Sequence, residues 1–140
     1  KAANGFKIIS DCYNANPSST KMALQTLGNM RIDGKRIAVL GDMLELGKES
    51  GNMHKQIGMM VPEMNFDMLL AVGKEAKKYV EGAKARGMKN VFHFDSVADV
   101  VCFLNDKVAE GDMFLVKGSR GMHMEQVVDA LLHMKPEFKI

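Results

Sequence analysis

The sequence predicts an open three-layer α/β fold in which a mostly parallel sheet carries helices on both faces. Short apolar runs alternate with amphipathic segments along the chain, the pattern of strands joined by crossover helices. Most runs lack strict alternation of apolar and polar residues, which favours strands buried on both faces. A length of 140 residues suits one domain spanning residues 1–140, long enough to bury a core.

Five apolar runs are predicted as strands. They are Phe6–Ser10, Arg36–Leu40, Asp67–Val72, Asn90–Phe94 and Asp112–Val116. In an open α/β sheet, ligands bind in the crevice outside the carboxyl ends of the strands. Polar loops follow the first, second and last of these runs, so those three loops are the candidate functional segments.

The helices between the strands are predicted from apolar stripes and end signals. A first helix should begin near Ser18 or Ser19, with Met22, Ala23 and Leu27 facing the core. A helix from 50 to 61 is a weaker prediction because it contains two glycines. Three later stripes are clear: Ala76, Tyr79, Val80 and Ala83; Val97, Val100, Val101, Leu104 and Val108; Met124, Val127, Val128 and Leu131. We expect Gly87 to end the first of these helices and Ser96 to cap the second.

Composition argues against several classes of partner. The hydrophobic fraction of 46% is ordinary for a globular domain, and a formal charge of +2 gives no electrostatic case for nucleic acid. No apolar run approaches the length of a membrane span. Cys12 and Cys102 are too far apart for a metal knuckle, so we expect reduced thiols in a cytoplasmic protein. The chain begins with Lys1 rather than Met, which suggests a piece of a longer protein.

The loop "DCYNANPSS" (Asp11–Ser19) follows the first predicted strand and has two interpretations. Turn and cap chemistry explains Asn16, Pro17 and the serines, since these residue types favour turns and helix starts. It explains Asp11, Tyr13 and Asn14 less well, because one turn needs few side-chain acceptors. A ligand role for this loop therefore stays open beside the structural one.

The loop "GDMLELG" (Gly41–Gly47) follows the second predicted strand. Asp42 and Glu45 are oxygen ligands of the kind that bind magnesium, but two acids are a weak signature. Asp and Gly also favour such turns without any ligand, and we prefer that interpretation.

The loop "KGSRG" (Lys117–Gly121) is the better candidate for binding an anion. Lys117 and Arg120 flank two small residues, and a helix is predicted to begin shortly after. Backbone N–H groups at a helix start and a guanidinium together suit a carboxylate or phosphate. The spacing is not that of a P-loop, and a solvated basic loop is the alternative.

The remaining residues do not form a complete catalytic system. The histidines, at His54, His93, His123 and His133, lack metal-ligand spacing, and no nucleophile–base pair stands out. We therefore predict no metal site and no catalytic residue in this chain alone. By itself, the sequence supports a small-molecule-binding α/β domain.

Six segments together resemble the C-terminal domain of the Mur ligases. They are "DCYNANPSS", "VLGDMLELG", "SGNMHKQIG", "LLAVG", "FLVKGSR" and "MEQVV". The resemblance runs from about Gly5 to Leu132, and its motifs are most similar to those of the family member that adds D-alanyl-D-alanine. It implies a Rossmann-like domain.

The resemblance also implies a reaction. Mur ligases have a UDP-sugar domain, a central P-loop ATPase and a C-terminal domain that closes over the ATPase. They use ATP and Mg²⁺ to convert a carboxylate into an acyl phosphate, which an amine attacks to give an amide. Here the implied substrates are UDP-N-acetylmuramoyl-tripeptide and D-alanyl-D-alanine, precursors of peptidoglycan, and the implied partner is the chain's own central domain.

The resemblance assigns roles to eleven residues. Contacts with the nucleotide go to four residues of the first loop: Asp11, Tyr13, Asn14 and Asn16. Binding of the incoming substrate goes to four residues of the last loop: Lys117, Gly118, Ser119 and Arg120. Three residues are expected to line the cleft: Asp42, Glu45 and His54. Arg120 is our choice to pair with the substrate carboxylate, because its planar fork suits bidentate binding.

Two further hypotheses remain open. The domain could come from a Mur ligase that adds another amino acid, although "YNANP" and "GDMLELG" argue against this. It could also be a stand-alone α/β module that binds a small molecule. Because the P-loop and the UDP-sugar domain are missing from these residues, we expect no ligase activity from this polypeptide alone.

Overall fold

Five strands form one sheet in the computed structural model of the chain, which describes residues 5–12 and 15–134. They are β1 (Lys7–Asp11), β2 (Arg36–Gly41), β3 (Met68–Val72), β4 (Val91–Phe94) and β5 (Met113–Lys117). Their order across the sheet is β1-β5-β2-β3-β4, and every neighbouring pair is parallel. The predicted fold class is therefore confirmed.

Helices cover both faces of this sheet. They are α1 (Pro17–Gly28), α2 (Ser50–Glu63), α3 (Lys77–Ala85), α4 (Val97–Leu104) and α5 (Glu125–Leu132). The chain moves in one direction across the sheet from β1 to β4, so right-handed crossovers place α1, α2 and α3 on one face. The return from β4 to β5 reverses this direction, and α4 and α5 pack on the opposite face.

The central strand β2 supplies side chains to two cores. Ala38 and Leu40 pack with α1, α2 and α3, whereas Ile37 and Val39 pack with α4 and α5. All four side chains are at most 1% exposed. This double burial explains why the strand runs of the sequence lack polar alternation.

The start and the phase of α1 differ from the prediction. Asn16 caps the helix, not Ser18 or Ser19: its Oδ1 accepts the Ser19 N–H at 2.9 Å. Met22 is 67% exposed, whereas Leu24 is fully buried. Three adjacent apolar residues, 22 to 24, fit more than one helical phase, and packing against the sheet selects the one that buries Leu24.

One of the two glycines of α2, Gly58, allows close packing against α3. A Cβ added at Gly58 would lie 2.0 Å from the Tyr79 carbonyl oxygen of α3. A Cβ at Gly82 of α3 would lie 2.0 Å from the Lys55 carbonyl oxygen of α2. Each helix thus contributes a glycine where the two backbones touch, and burial of the shared face offsets the low helix propensity of glycine.

Other helix ends follow the prediction more closely. The Ser96 hydroxyl accepts the Asp99 N–H at 3.2 Å and caps α4. Gly87 follows α3 with φ +82°, a left-handed conformation that suits glycine. However, α4 ends at Leu104, so Val108 reaches the core from the turn after the helix.

The strand order brings the three polar loops together. Because β1, β5 and β2 are neighbours and parallel, their carboxyl ends lie side by side at one edge of the sheet. The loop after β1 leads to α1 on one face, and the loop after β5 leads to α5 on the other. This divergence opens the type of crevice in which α/β proteins bind ligands. Within the described residues, no helix is long and apolar enough to cross a membrane.

Candidate functional site

A cavity of about 520 Å³ lies where the three loops meet. Its lining comes from all three: Ala15 and Asn16 after β1; Leu44, Glu45 and Leu46 after β2; Ser119 and Arg120 after β5. The structure thus brings together four predicted site residues that are distant in sequence. The lining side chains include one carboxylate and one guanidinium, so the cavity offers both charges to a ligand.

Ser119 connects the three loops. Its hydroxyl accepts the Leu44 N–H at 2.9 Å and donates to the Ala15 carbonyl at 3.3 Å. Its own N–H donates to the Asp42 carbonyl at 3.1 Å. A serine hydroxyl has a single proton to donate, and Ala15 receives it here. Ser119 therefore shapes the cavity wall. Its hydroxyl has one lone pair left, with which it can accept a hydrogen bond from a substrate.

The carboxylate of Asp42 anchors the second loop to α3. Its Oδ1 accepts the Ala76 N–H at 2.8 Å, and the residue is 6% exposed. Burial raises the pKa of Asp42 above its ordinary value, against the opposing effect of hydrogen bonds from Ala76 and Glu75. Asp42 lines a second, adjacent cavity of about 410 Å³.

His54 supports the loop after β2 from the protein interior. It does not line the cleft, contrary to the prediction. The residue is fully buried. Its Nε2 accepts the Met43 N–H at 3.0 Å, and its Nδ1 lies 2.7 Å from the Ser50 carbonyl oxygen. A backbone N–H can only donate, so Nε2 is unprotonated and the Nδ1–H tautomer is present. His54 is a structural support of the loop.

Glu45 follows these anchored residues in an unusual backbone conformation. Its φ is +62°, in the left-handed region that favours glycine. The residue is exposed and lines both the 520 Å³ and the 410 Å³ cavities. Of the predicted cleft-lining residues, Glu45 is thus the one whose carboxylate is available to a ligand.

Lys117 and Asp11 form an ion pair beside β1, away from Arg120. Lys117 Nζ lies 3.2 Å from Asp11 Oδ2; the lysine side chain is 4% exposed and the aspartate side chain 45%. Both line a separate cavity of about 310 Å³ between β1 and α1. Lys117 thus lines a different cavity from Arg120, because it shares with Leu115 the face of the strand that points towards α1.

Gly118 is required by packing. A Cβ at this position would lie 2.6 Å from Met124 Cγ, at the start of α5. The Gly118 N–H donates to the Asp11 carbonyl at 3.3 Å and continues the pairing of β5 with β1. Its contribution to a substrate site can only come from its backbone.

The first loop is described in part. Asn16 lines the 520 Å³ cavity, and its Oδ1 is engaged in capping α1. The Ser19 hydroxyl accepts the Asn16 N–H at 3.2 Å in return, so the two residues form a capping box. Tyr13 and Asn14 lie outside the described residues.

The predicted anion cradle is only partly present. Arg120 is exposed and lines the cavity. The first turn of α5, however, carries its own carboxylate, that of Glu125, which lies 3.5 Å from His123 Nδ1. This negative charge would compete with an external anion at the start of α5.

No group of three or more His, Cys, Asp or Glu side chains in the described ranges is placed to hold a metal ion. The carboxylate of Asp42 is occupied by the Ala76 N–H, and that of Glu75 accepts the Ser50 hydroxyl at 2.8 Å. Asp42 and Glu75 are thus engaged with protein groups, and Glu45 is the exposed acid of the second loop.

Contacts made by backbone groups and by core residues also shape the site, and the sequence carries no signal for them. The Tyr79 hydroxyl donates to the Gly41 carbonyl at 3.0 Å and fixes the start of the second loop. Burial raises the pKa of the Tyr79 phenol, so it stays a donor. The apolar stripe of the sequence identified Tyr79 as buried but gave no signal for its partner.

The family model described as "Mur ligase, glutamate ligase domain" matches residues 1–120 of the chain. Among curated proteins, the chain is similar to the UDP-N-acetylmuramoyl-tripeptide–D-alanyl-D-alanine ligase of Bacillus subtilis (strain 168). The two are 36% identical over 133 residues, which cover 94% of this chain and 29% of the relative.

Two solved structures resemble the chain. A crystal structure of MurF from Acinetobacter baumannii superposes with a TM-score of 0.81 and is 33% identical. The MurF ligase of Thermotoga maritima in complex with ADP gives a TM-score of 0.77 and is 27% identical. Each comparison covers 94% of this chain and 29% of the other. The chain thus spans less than a third of the length of these relatives.

Proposed function

The chain belongs to the Mur ligase family, and we propose that it is the C-terminal domain of a ligase that adds D-alanyl-D-alanine to UDP-N-acetylmuramoyl-tripeptide. The full protein would use ATP to form an acyl phosphate, which the amine of D-alanyl-D-alanine converts to an amide during peptidoglycan precursor synthesis. In support, the B. subtilis relative is named as a UDP-N-acetylmuramoyl-tripeptide–D-alanyl-D-alanine ligase, and the structure of the T. maritima relative is a complex with ADP. We expect the full protein to act in the cytoplasm.

One observation carries the assignment of the site: Arg120 stands at the rim of the cavity that all three loops line. The carboxylate of D-alanyl-D-alanine matches the planar donor fork of a guanidinium. The hydrogen bonds of Ser119 to Leu44 and Ala15 hold the loops around that position. Preorganised walls of this kind favour binding because little order is lost when the ligand arrives.

The nucleotide side of the site is proposed at the first loop. Asp11 keeps 45% of its side chain exposed, so its carboxylate can accept hydrogen bonds from ribose hydroxyls. Asn16, Tyr13 and Asn14 complete the proposed nucleotide contacts. Mg²⁺ and the phosphates are assigned to the chain's own central domain, since the described residues lack a metal site.

Because the Mg²⁺ and phosphate contacts are assigned to the central domain, we expect no ligase activity from the present chain alone. Phosphoryl transfer depends on positioning and charge stabilisation, and the proposed phosphate-binding parts lie in another domain. Closure of this domain over the central one would exclude water from the acyl phosphate.

The test uses the full-length protein that contains these residues. Phosphate release is followed with ATP and UDP-N-acetylmuramoyl-tripeptide, with D-alanyl-D-alanine, diaminopimelate or D-glutamate added in parallel. We expect release only with D-alanyl-D-alanine, and none from the present chain assayed alone. Release with another amine would keep the ligase and overturn the substrate. No release with any amine would favour a stand-alone binding module.

A further inference from the structure

Building on the proposed function, we propose that Glu45 binds the ammonium group of the incoming dipeptide while Arg120 binds its carboxylate. A free dipeptide carries one positive and one negative end. Among the described residues that line the 520 Å³ cavity, Glu45 and Arg120 are the charged ones. Their opposite signs match the two ends of the dipeptide, and charge-assisted hydrogen bonds are the stronger kind.

The position of Glu45 is fixed by its neighbours. Three consecutive residues before it are each held by a different element: Asp42 by α3, Met43 by His54 of α2, and Leu44 by Ser119 after β5. These three anchors fix the backbone that leads into Glu45 at the wall of the cavity. The carboxylate is thus carried by an ordered backbone, as a specificity site requires.

The backbone of Glu45 also indicates that the side chain is used. Its φ of +62° favours glycine, and Gly47 occupies the same region two residues later at +63°. Two other described non-glycine residues lie there: Asn65, whose Nδ2 donates to the Gly28 carbonyl at 3.2 Å, and His123, whose Nδ1 lies 3.5 Å from Glu125 Oε1. A glutamate at such a position is costly, and strained residues of this kind cluster at functional sites.

Lys74 offers the competing explanation, since it lines the adjacent 410 Å³ cavity together with Glu45. If Glu45 served only to neutralise Lys74, its effect on the reaction would depend on that lysine. The two explanations differ in which ligand group they involve. Recognition of the ammonium predicts discrimination against a dipeptide analogue that lacks it; pairing with Lys74 does not.

The experiment measures phosphate release by the full-length protein carrying Glu45→Gln, Glu45→Gly, Lys74→Met or, as a control, Glu49→Gln. Glu49 is an exposed carboxylate that lines neither cavity. We expect Glu45→Gln to raise the KM for D-alanyl-D-alanine about ten- to hundred-fold. The KM values of Glu45→Gln for ATP and the UDP-tripeptide should stay within about two-fold of wild type. All three KM values of Glu49→Gln and of Lys74→Met should also stay within about two-fold of wild type. Glu45→Gly should behave like Glu45→Gln and melt no lower than wild type, because glycine relieves the backbone strain.

A second readout separates recognition from a structural role. The inhibitor is 2-hydroxypropanoyl-D-alanine, in which a hydroxyl replaces the ammonium of the dipeptide. Wild type should bind it much more weakly than D-alanyl-D-alanine, and Glu45→Gln should lose most of this preference. A preference that survives in Glu45→Gln, or a KM unchanged by that variant, would overturn the proposal while leaving the proposed function intact. Absence of phosphate release by wild type with D-alanyl-D-alanine would overturn both.

Discussion

The Ser119 hydroxyl accepts the Leu44 N–H at 2.9 Å, which joins the loop after β5 to the loop after β2. The same hydroxyl donates to Ala15 in the loop after β1. The three loops are therefore linked at one buried oxygen, in addition to the bonds that the Ser119 and Gly118 N–H groups donate to the Asp42 and Asp11 carbonyls. The cavity that Glu45 and Arg120 line lies beside this link, and Ser119 forms part of its wall.

Removal of this hydroxyl should loosen the site. Ser119→Ala leaves the Leu44 N–H and the Ala15 carbonyl without their partner, so we expect the free energy of unfolding to fall by about 1–2 kcal/mol. Ser18→Ala in α1, an exposed position, is the matched control and should change it by less than about 0.5 kcal/mol. Urea unfolding of the chain measures both. Equal free energies of unfolding for the two variants would argue against a stabilising role of the Ser119 hydroxyl.

The contact between α2 and α3 should tolerate no side chain at Gly58. A Cβ there would lie 2.0 Å from the Tyr79 carbonyl oxygen, so Gly58→Ala must move one backbone. We expect a loss of at least about 2 kcal/mol in the free energy of unfolding. Gly51→Ala, in the same helix with its nearest contact at 3.6 Å, should instead add about 0.5–1 kcal/mol. The melting temperatures of both variants test this. A Gly58→Ala chain that melts no lower than wild type would contradict the close contact between α2 and α3.

Asp42 should make stability fall as the pH rises. Burial raises its pKa in the folded state above the ordinary 3.8, so between these two values the native state binds more protons than the unfolded state. The stabilising contribution is fully present below about 3.8 and is lost as the pH passes the raised pKa. Asp42→Asn removes this titration, so the stability of the variant relative to wild type should increase from pH 4 to pH 7. A relative stability independent of pH would refute this expectation.

The two cysteines should differ in reactivity. Cys12 is 7% exposed, and its thiol pKa is raised by burial and then by the nearby carboxylates, whereas Cys102 is exposed. Because the thiolate is the reactive species, iodoacetamide at pH 8 should label Cys102 well before Cys12. Mass spectrometry of peptides over time measures this order. Denaturant should abolish the difference, and equal labelling of the folded chain would contradict it.

Local sequence patterns were sufficient for the fold. Apolar runs such as 36–40 depend on residues close in sequence, and the observed strand β2 ends one residue later. The phase of α1 could not be predicted, because adjacent apolar residues at 22 to 24 fit several orientations. The role of Gly58 was also hidden, since its contact with Tyr79 exists only after two helices have packed.

The site was predicted at the level of loops rather than side chains. Asn16, Glu45, Ser119 and Arg120 do line one cavity, because the strand order brings the three loops together. Lys117 was placed in the site by its charge and its motif, and His54 by the motif alone. Lys117 instead lines the cavity beside α1, and His54 lies under a loop. The direction of a side chain at a strand end or on a helix is set by the whole fold, which a short motif does not encode.

The most direct test of the account is the KM for D-alanyl-D-alanine of the full-length protein carrying Arg120→Ala. Arg31→Ala is the control, since Arg31 is exposed and precedes β2 at the opposite edge of the sheet. The account predicts that Arg120→Ala raises this KM about ten- to hundred-fold with little change for ATP, and that Arg31→Ala stays within about two-fold of wild type. An Arg120→Ala protein with the KM of wild type would contradict the assignment of this cavity to the dipeptide.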